Sequence, residues 1–351
     1  MFKRINGIQH IGVAVSNMDA SLKFYRKFFS MNIPFFDAVA EAPLMDIYTR
    51  NKTITKRASM IFNLQGGAAM EVIRPTSFEP IKANFEILPG DLGIFATQIG
   101  TGDVQAMHAF CKENSPPFLS ELSQRPDGSP TFFIKDIDGN QFQYVHSSHK
   151  YVDHGFLSNG ANSCSIGVRS IEKARELYSD LLGYDKVIYD STDTADYRSA
   201  WKDFGTVRRV LLKQTAPPGG GFAKVLGDNF IELVESTDRE PKAIFADRIW
   251  GDTGFVHLGF DAKGMKALGE DLKQKGFGFT CDSESALDMG TTKVHCTYIE
   301  DPDQTWLELI EVFKVPIIEK WGIFLNVEKR DPLKPLPDFM LKAMRFSRIV
   351  D

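Results

Sequence analysis

Apolar and polar positions along the chain follow one pattern four times. The segment IQHIGVAVSNMDASLKFYRKFF runs from an apolar strand through a short polar turn into a stretch with Leu22, Tyr25 and Phe29 at i, i+3 and i+7. The segment NSCSIGVRSIEKARELYSDLLG repeats the plan, with Ala174, Leu177, Tyr178 and Leu181 on one helical face. Asn17 and Asp19, and later Ser170 and Glu172, sit where a helix cap and first-turn acids belong. GDLGIFATQIGTGDVQAMHAF and GDTGFVHLGFDAKGMKALGEDL form a second strand–helix pair, each opening Gly-Asp-Xaa-Gly. Each set closes on a strand of alternating character: GAAMEVIRPT, GNQFQYVHSS, DNFIELVEST and QTWLELIEVF. Turn-forming residues precede two of these, in DIDGNQ from Asp136 and DPDQT from Asp301.

The pattern predicts four β-α-β-β-β modules at roughly 5–80, 88–150, 158–238 and 250–315. The fold class is α+β. The expected organisation is two modules in 1–150, two in 151–315, and a C-terminal extension over 316–351. HKYVDHGFLSNGAN reads as a solvated linker between the halves, carrying His149 and His154 with His146 just before it. The extension, with its prolines and short amphipathic stretch, reads as an arm packed on the surface.

Composition adds limits. Of 351 residues, 43% are hydrophobic and 25% charged, the balance of a globular chain. The net charge of −5 is spread without acidic or basic blocks, so nothing recruits nucleic acid or an anionic membrane by charge. No apolar run is long enough to span a bilayer, and the start lacks the apolar core of a signal peptide. Cys111, Cys164, Cys281 and Cys296 are scattered without a CxxC pair, which reads as free thiols in a cytoplasmic protein. There is no Gly-x-Ser-x-Gly elbow, HExxH, Walker loop or strand-linked GxGxxG. The glycines at 219–221 read as a hairpin loop with no helix after it, and so not as a phosphate cradle.

The HIGV strand, the capped helix with FY or LY, and the closing strand after DPDQ or DIDGN resemble the glyoxalase / bleomycin-resistance / extradiol dioxygenase (vicinal oxygen chelate) superfamily. The resemblance covers about nine tenths of the chain. It implies that modules pair into two curved, mixed sheets of eight strands, with a metal inside the curve. It also implies one ligand on the first strand of a module and one on the last. In the first module these positions are His10 and Glu71; in the fourth, His257 and Glu308. In the third they are Ser165, ahead of the same Ile-Gly-Val, and Glu232; in the second, Ala96 and Gln143. Pairing the first module with the fourth gives a complete 2His-2Glu set, and pairing the second with the third gives a poor one. The first–fourth pairing is therefore preferred.

Imidazole and carboxylate suit Zn, Ni, Mn or Co, or Fe(II) in a dioxygenase, and leave positions open for a small-molecule substrate with adjacent oxygens. The leading expectation is a metal-dependent isomerase or lyase, with Glu308 or Glu71 as general base. The alternatives are an Fe(II) ring-cleaving dioxygenase using His257, Glu308 and Glu232 or His10, and a non-catalytic binder of aromatic ligands. No glutathione-binding set of arginines is visible. Glu232 has a competing reading as the partner of an Arg or a Lys such as Lys213. His295 reads either as an acid–base group facing the cavity or as a strand histidine, and His108 as an exposed helix residue. Tyr48, Arg57 and Asn63 are possible cavity residues. A monomer or a homodimer is expected.

Overall fold

In the computed structural model, all residues are described except 1, 285–286, 289–292, 319–321, 329 and 350–351. The first module comprises β1 (Arg4–Ala14), α1 (Met18–Phe29), β2 (Ile33–Glu41), β3 (Thr55–Phe62) and β4 (Ala69–Pro75). The second comprises β5 (Gly93–Thr101), α2 (Val104–Asn114), two short strands β6 (Phe118–Leu119) and β7 (Ser123–Gln124), β8 (Pro130–Lys135) and β9 (Gln141–His146). The third runs β10 (Ser158–Val168), α3 (Ile171–Tyr178), β11 (Lys186–Ser191), α4 (Ala195–Arg198), β12 (Val207–Lys213), α5 (Ala223–Leu226) and β13 (Phe230–Ser236). The fourth runs β14 (Gly254–Lys263), α6 (Met265–Gln274), β15 (Cys281–Asp282), β16 (Leu287–Asp288), β17 (Lys293–Glu300) and β18 (Trp306–Ile318). Beyond it lie β19 (Ile323–Asn326) and α7 (Asp338–Ala343).

The helices begin where the sequence supplies caps. Asn17, Asp103 and Ser170 each accept a hydrogen bond from the backbone N–H three residues on. Gly264, in the left-handed conformation, stands in the same place before α6. The strands form two mixed sheets. One has the order β15-β17-β18-β14-β1-β4-β3-β2, with β16 on β17 and β19 on β18. The other has the order β11-β12-β13-β10-β5-β9-β8-β6, with β7 on β8. The first sheet thus joins the first and fourth modules through antiparallel β1 and β14, and the second joins the other two through β10 and β5. The glycine run at 219–221 is followed by a helix after all, the single turn α5, which is too short to offer an anion site.

The motifs that recur in sequence turn out to tie consecutive modules across the two sheets. Tyr25 of α1 donates its hydroxyl to Asp136 at 2.7 Å, and Tyr178 of α3 donates to Asp301 at 2.9 Å. Asp136 also accepts the amides of Asp138 and Asn140, as Asp301 accepts those of Asp303 and Thr305, so each carboxylate closes its own turn while receiving the tyrosine. All four side chains are buried. Burial pushes Asp301 up to about 6 against these donors. Removing one hydroxyl from such a charge-assisted bond is expected to cost about 1.5–3 kcal/mol. Tyr178→Phe should therefore show that loss in urea unfolding, and a change below about 0.5 kcal/mol would mean the bond contributes little to cohesion.

Candidate metal centre

The geometry of the centre follows from the register of β1 against β14. His10 stands opposite Gly259, and Gly12 opposite His257, so each imidazole lies over a residue without a side chain. A Cβ on Gly12 would come within 2.6 Å of His257 Nδ1, and one on Gly259 within 2.7 Å of His10 Nε2. The parallel neighbours complete the set: β4 places Glu71 beside Gly12, and β18 places Glu308 beside Gly259.

The four ligand atoms lie within 4.8 Å of one another. His10 Nε2 is 2.8 Å from His257 Nε2, 3.0 Å from Glu308 Oε2 and 3.8 Å from Glu71 Oε2. His257 Nε2 is 3.2 Å from Glu71 Oε2 and 3.5 Å from Glu308 Oε2. Two atoms bound to one ion at about 2.0–2.2 Å are separated by about 3–4 Å, so this spacing fits a shared cation. Both histidines are fully buried and the glutamates nearly so. Without a cation, two facing ring nitrogens and two carboxylates in so dry a place would be costly.

The outer contacts orient the ligands. His10 Nδ1 has Gln9 Oε1 at 3.2 Å, and His257 Nδ1 has the Tyr298 oxygen at 3.3 Å. A proton on Nδ1 of each ring leaves both Nε2 lone pairs for the centre. Trp250 lies parallel to the His257 ring, with centroids 6.4 Å apart. The outer oxygen of each glutamate has its own donor, Lys56 Nζ to Glu71 Oε1 at 3.4 Å and Cys296 Sγ to Glu308 Oε1 at 2.9 Å. Burial works against charge at Glu308, but His257 and His10 outweigh it and hold the carboxylate below its ordinary range. At Glu71, Lys56 and the two histidines outweigh burial and pull the carboxylate well down. Burial likewise opposes charge on His10, yet the bond to Glu308 and the two carboxylates raise it. Burial keeps the Cys296 thiol protonated, so it donates.

The corresponding place in the second sheet is filled differently. Each first-strand histidine stands seven residues before its helix cap, and by that count the third-module position is Ser163, not Ser165. The Ile-Gly-Val of the third module is displaced by two residues relative to that of the first. Two residues is the strand repeat, so Ser165 still faces the same side and donates to Glu232 Oε2 at 2.6 Å. Glu232 is fully buried and is held by Arg209 rather than Lys213, which reaches Asp228 instead. Arg209 Nε and Nη2 lie 2.9 and 2.7 Å from Glu232 Oε1, and the same guanidinium binds Asp196. Tyr189, Tyr197 and Gln98 also donate to Glu232, and Gln143 donates to Asp196. Ala96 lies in the apolar core. A guanidinium network therefore occupies this place.

Other expected cavity residues lie elsewhere. Arg57 pairs with Asp37 and Asp19 at the surface, Asn63 donates to the Phe29 and Ser158 carbonyls, and Tyr48 bonds Thr280. His295 is a strand histidine paired with Asp282 at 2.7 Å. His108 is half-buried, with Nε2 3.0 Å from the Ser120 carbonyl oxygen, and not exposed. The linker is also less solvated than expected, since half-buried His149 bonds the Val225 carbonyl. Glu71, Glu308 and His10 open onto a cavity of about 900 Å³. Lys56, Trp250 and Cys296 line it, and sequence reasoning singled out none of the three as cavity residues. Met344 lines it as well, so the C-terminal extension supplies a wall as well as a surface arm. Among the described residues no helix is long and apolar enough to cross a membrane.

Residues 7–144 match the family described as the Glyoxalase/Bleomycin resistance protein/Dioxygenase superfamily. No curated protein matches the sequence. Among solved structures, a point mutant of glyoxalase I from Zea mays is 16% identical, with a TM-score of 0.55 over 88% of this chain and 94% of that one. A putative dioxygenase from Bacillus subtilis subsp. subtilis str. 168 is 13% identical, with a TM-score of 0.58 over 88% of this chain and 86% of that one. The first two modules thus match that superfamily by sequence, and most of the chain shares its fold with these two solved structures.

Proposed function

We propose that the chain is a metal-dependent enzyme of the vicinal oxygen chelate kind that moves a proton on a small molecule with adjacent oxygens, as an isomerase or lyase. The observation that carries this is the buried quartet His10, Glu71, His257 and Glu308, with its ligand atoms within 4.8 Å of one another and open to a cavity. These four residues would hold a divalent ion, Zn, Ni, Mn or Co. When bound, such an ion supplies Lewis-acid stabilisation of negative charge developing on two neighbouring substrate oxygens.

The two glutamates differ in their second contact, and this divides their roles. Glu71 faces the ammonium of Lys56, which fixes it as a carboxylate. Glu308 faces only the neutral thiol of Cys296, a weak donor. Glu308 is therefore the general base: its carboxylate, released from the ion it would otherwise help to hold, would take a proton from substrate carbon and return it to the neighbouring carbon. Such a base contributes about 10²–10⁴-fold. A ring-cleaving dioxygenase commonly needs two histidines and one carboxylate around Fe(II). The second carboxylate within the same 4.8 Å favours proton transfer over that chemistry.

The test is metal content by inductively coupled plasma mass spectrometry on protein purified without added metal. About one equivalent of Zn, Ni, Mn or Co is expected, lost in His10→Ala and His257→Ala and kept in His295→Ala. Iron as the bound metal would favour the dioxygenase. No metal after reconstitution with each ion would overturn the enzyme reading and leave a ligand-binding protein.

A further inference from the structure

Resting on that reading, we propose that the substrate carries a long or bulky apolar body with at most one negative charge behind its pair of adjacent oxygens. The cavity holds about 900 Å³, near the upper end for small-molecule sites. A two- or three-carbon hydroxycarbonyl would leave most of it unfilled. Its walls come from four separate parts of the chain: Phe35 and Met60 of the first module, Phe222 of the third, Val312 and Val315 of the fourth, and Met344 of the extension. All six are apolar, and they converge on the same space that His10, Glu71 and Glu308 enter.

Charge narrows the choice further. Lys56 is the one cationic side chain among the described residues lining the cavity, and it already faces Glu71 at 3.4 Å. Among the described residues no arginine lines it, whereas Glu41 adds a third carboxylate to Glu71 and Glu308. A ligand with two carboxylates, such as a glutathione adduct, would meet no free cation there and would lose its hydration uncompensated. An apolar body gains by burial instead, roughly up to fourfold in affinity per methylene.

The test uses the full-length, metal-loaded protein and measures metal content on the same sample. Acetohydroxamic, hexanohydroxamic and octanohydroxamic acids carry the same oxygen pair with tails of increasing length and are titrated calorimetrically beside S-hexylglutathione. Affinity is expected to rise about two- to fourfold per methylene, with S-hexylglutathione binding more weakly than octanohydroxamate. Met60→Trp, which fills part of the cavity, should weaken octanohydroxamate far more than acetohydroxamate, and Val225→Trp serves as a second variant if the first does not fold. Equal affinity across the chain lengths, or tighter binding of S-hexylglutathione, would overturn the proposal and leave the metal reading standing. If the protein retains no metal, the metal reading fails alone: octanoate binding to the metal-free protein that Met60→Trp abolishes still supports an apolar-body ligand, and no octanoate binding sinks this proposal too.

Discussion

Arg209→Met is expected to destabilise the protein by about 3–5 kcal/mol, a large share of a typical domain's stability. Arg209 is fully buried and binds Glu232 and Asp196, both also fully buried, while its guanidinium lies 3.7 Å from the centroid of the Tyr197 ring. Removing it leaves two carboxylates in the interior of the second sheet with hydroxyl and amide donors but without the cation that binds both. Arg125 contributes to Glu232 only as a more distant charge. Burial favours the neutral form of Glu232, but Arg209 and Arg125 outweigh it and hold the carboxylate down to about 2. The ordinary value is about 4.3. A depressed carboxylate contributes stability that is present above its unfolded value and lost as pH falls through its folded value. That contribution in the native protein should therefore fade between about pH 4 and pH 2. In Arg209→Met the deficit should instead shrink on acidification from pH 7 towards pH 4, because protonating Glu232 removes its buried charge. Arg209→Met/Glu232→Gln should regain part of the loss. Urea unfolding of the three proteins decides it, and a single-variant loss below about 1 kcal/mol would show that the network is held by its tyrosines and amides.

This network also shows how far the sequence could be read. Four recurrences of strand, capped helix and closing strand were enough for the fold, because each motif has a mechanical role: the caps start the helices, and Tyr25, Tyr178, Asp136 and Asp301 join the modules. The candidate quartet was legible for the same reason, since the histidines and glutamates sit at fixed places in the repeat. The third module misled through letters that repeat without their physics. Gly12 in the first Ile-Gly-Val makes room for His257, whereas Gly167 in the other lies against the backbone of Gly90 and Asp91. Strand alternation puts Arg209 and Lys213 on the same face of β12, and periodicity could not choose between them as the partner of Glu232. The register of β12 on β13 does not choose either, since Glu232 stands opposite Leu211, midway between them; the side-chain partners decide, Asp228 taking Lys213 while Asp196 joins Glu232 on Arg209. Met344 and Trp250 meet the cavity only through contacts between distant segments, for which a single sequence carries no signal; Lys56 shares its face of β3 with Met60, opposite Glu71, so strand alternation could have found it.

The candidate centre has one further signal in the sequence: both first strands that contribute to it read His-Xaa-Gly, His10-Ile11-Gly12 and His257-Leu258-Gly259, and the other two do not. The glycines shape the candidate centre. In the antiparallel pair β1–β14 each lies opposite the other strand's histidine, and an added methyl would overlap the imidazole. The corresponding positions in the second sheet hold Gln98 and Ser165, whose side chains occupy that space and bond each other at 3.3 Å. Gly12→Ala should therefore displace His257, and Gly259→Ala His10, with the parallel glutamate strands left in place. Overpacking of this kind costs about 1–3 kcal/mol, so both variants should remain folded. Displacing one ligand by even a fraction of its bond length should cost metal affinity about 100-fold, at the upper end of what losses around a metal site produce. Gln98→Ala, at the matching place in the other sheet, should leave metal affinity unchanged. Competition against a metallochromic chelator, with circular dichroism to confirm folding, measures the effect. Retention of native affinity in both glycine variants would mean that the imidazoles can hold the ion from another rotamer and that the register of β1 and β14 does not set the site.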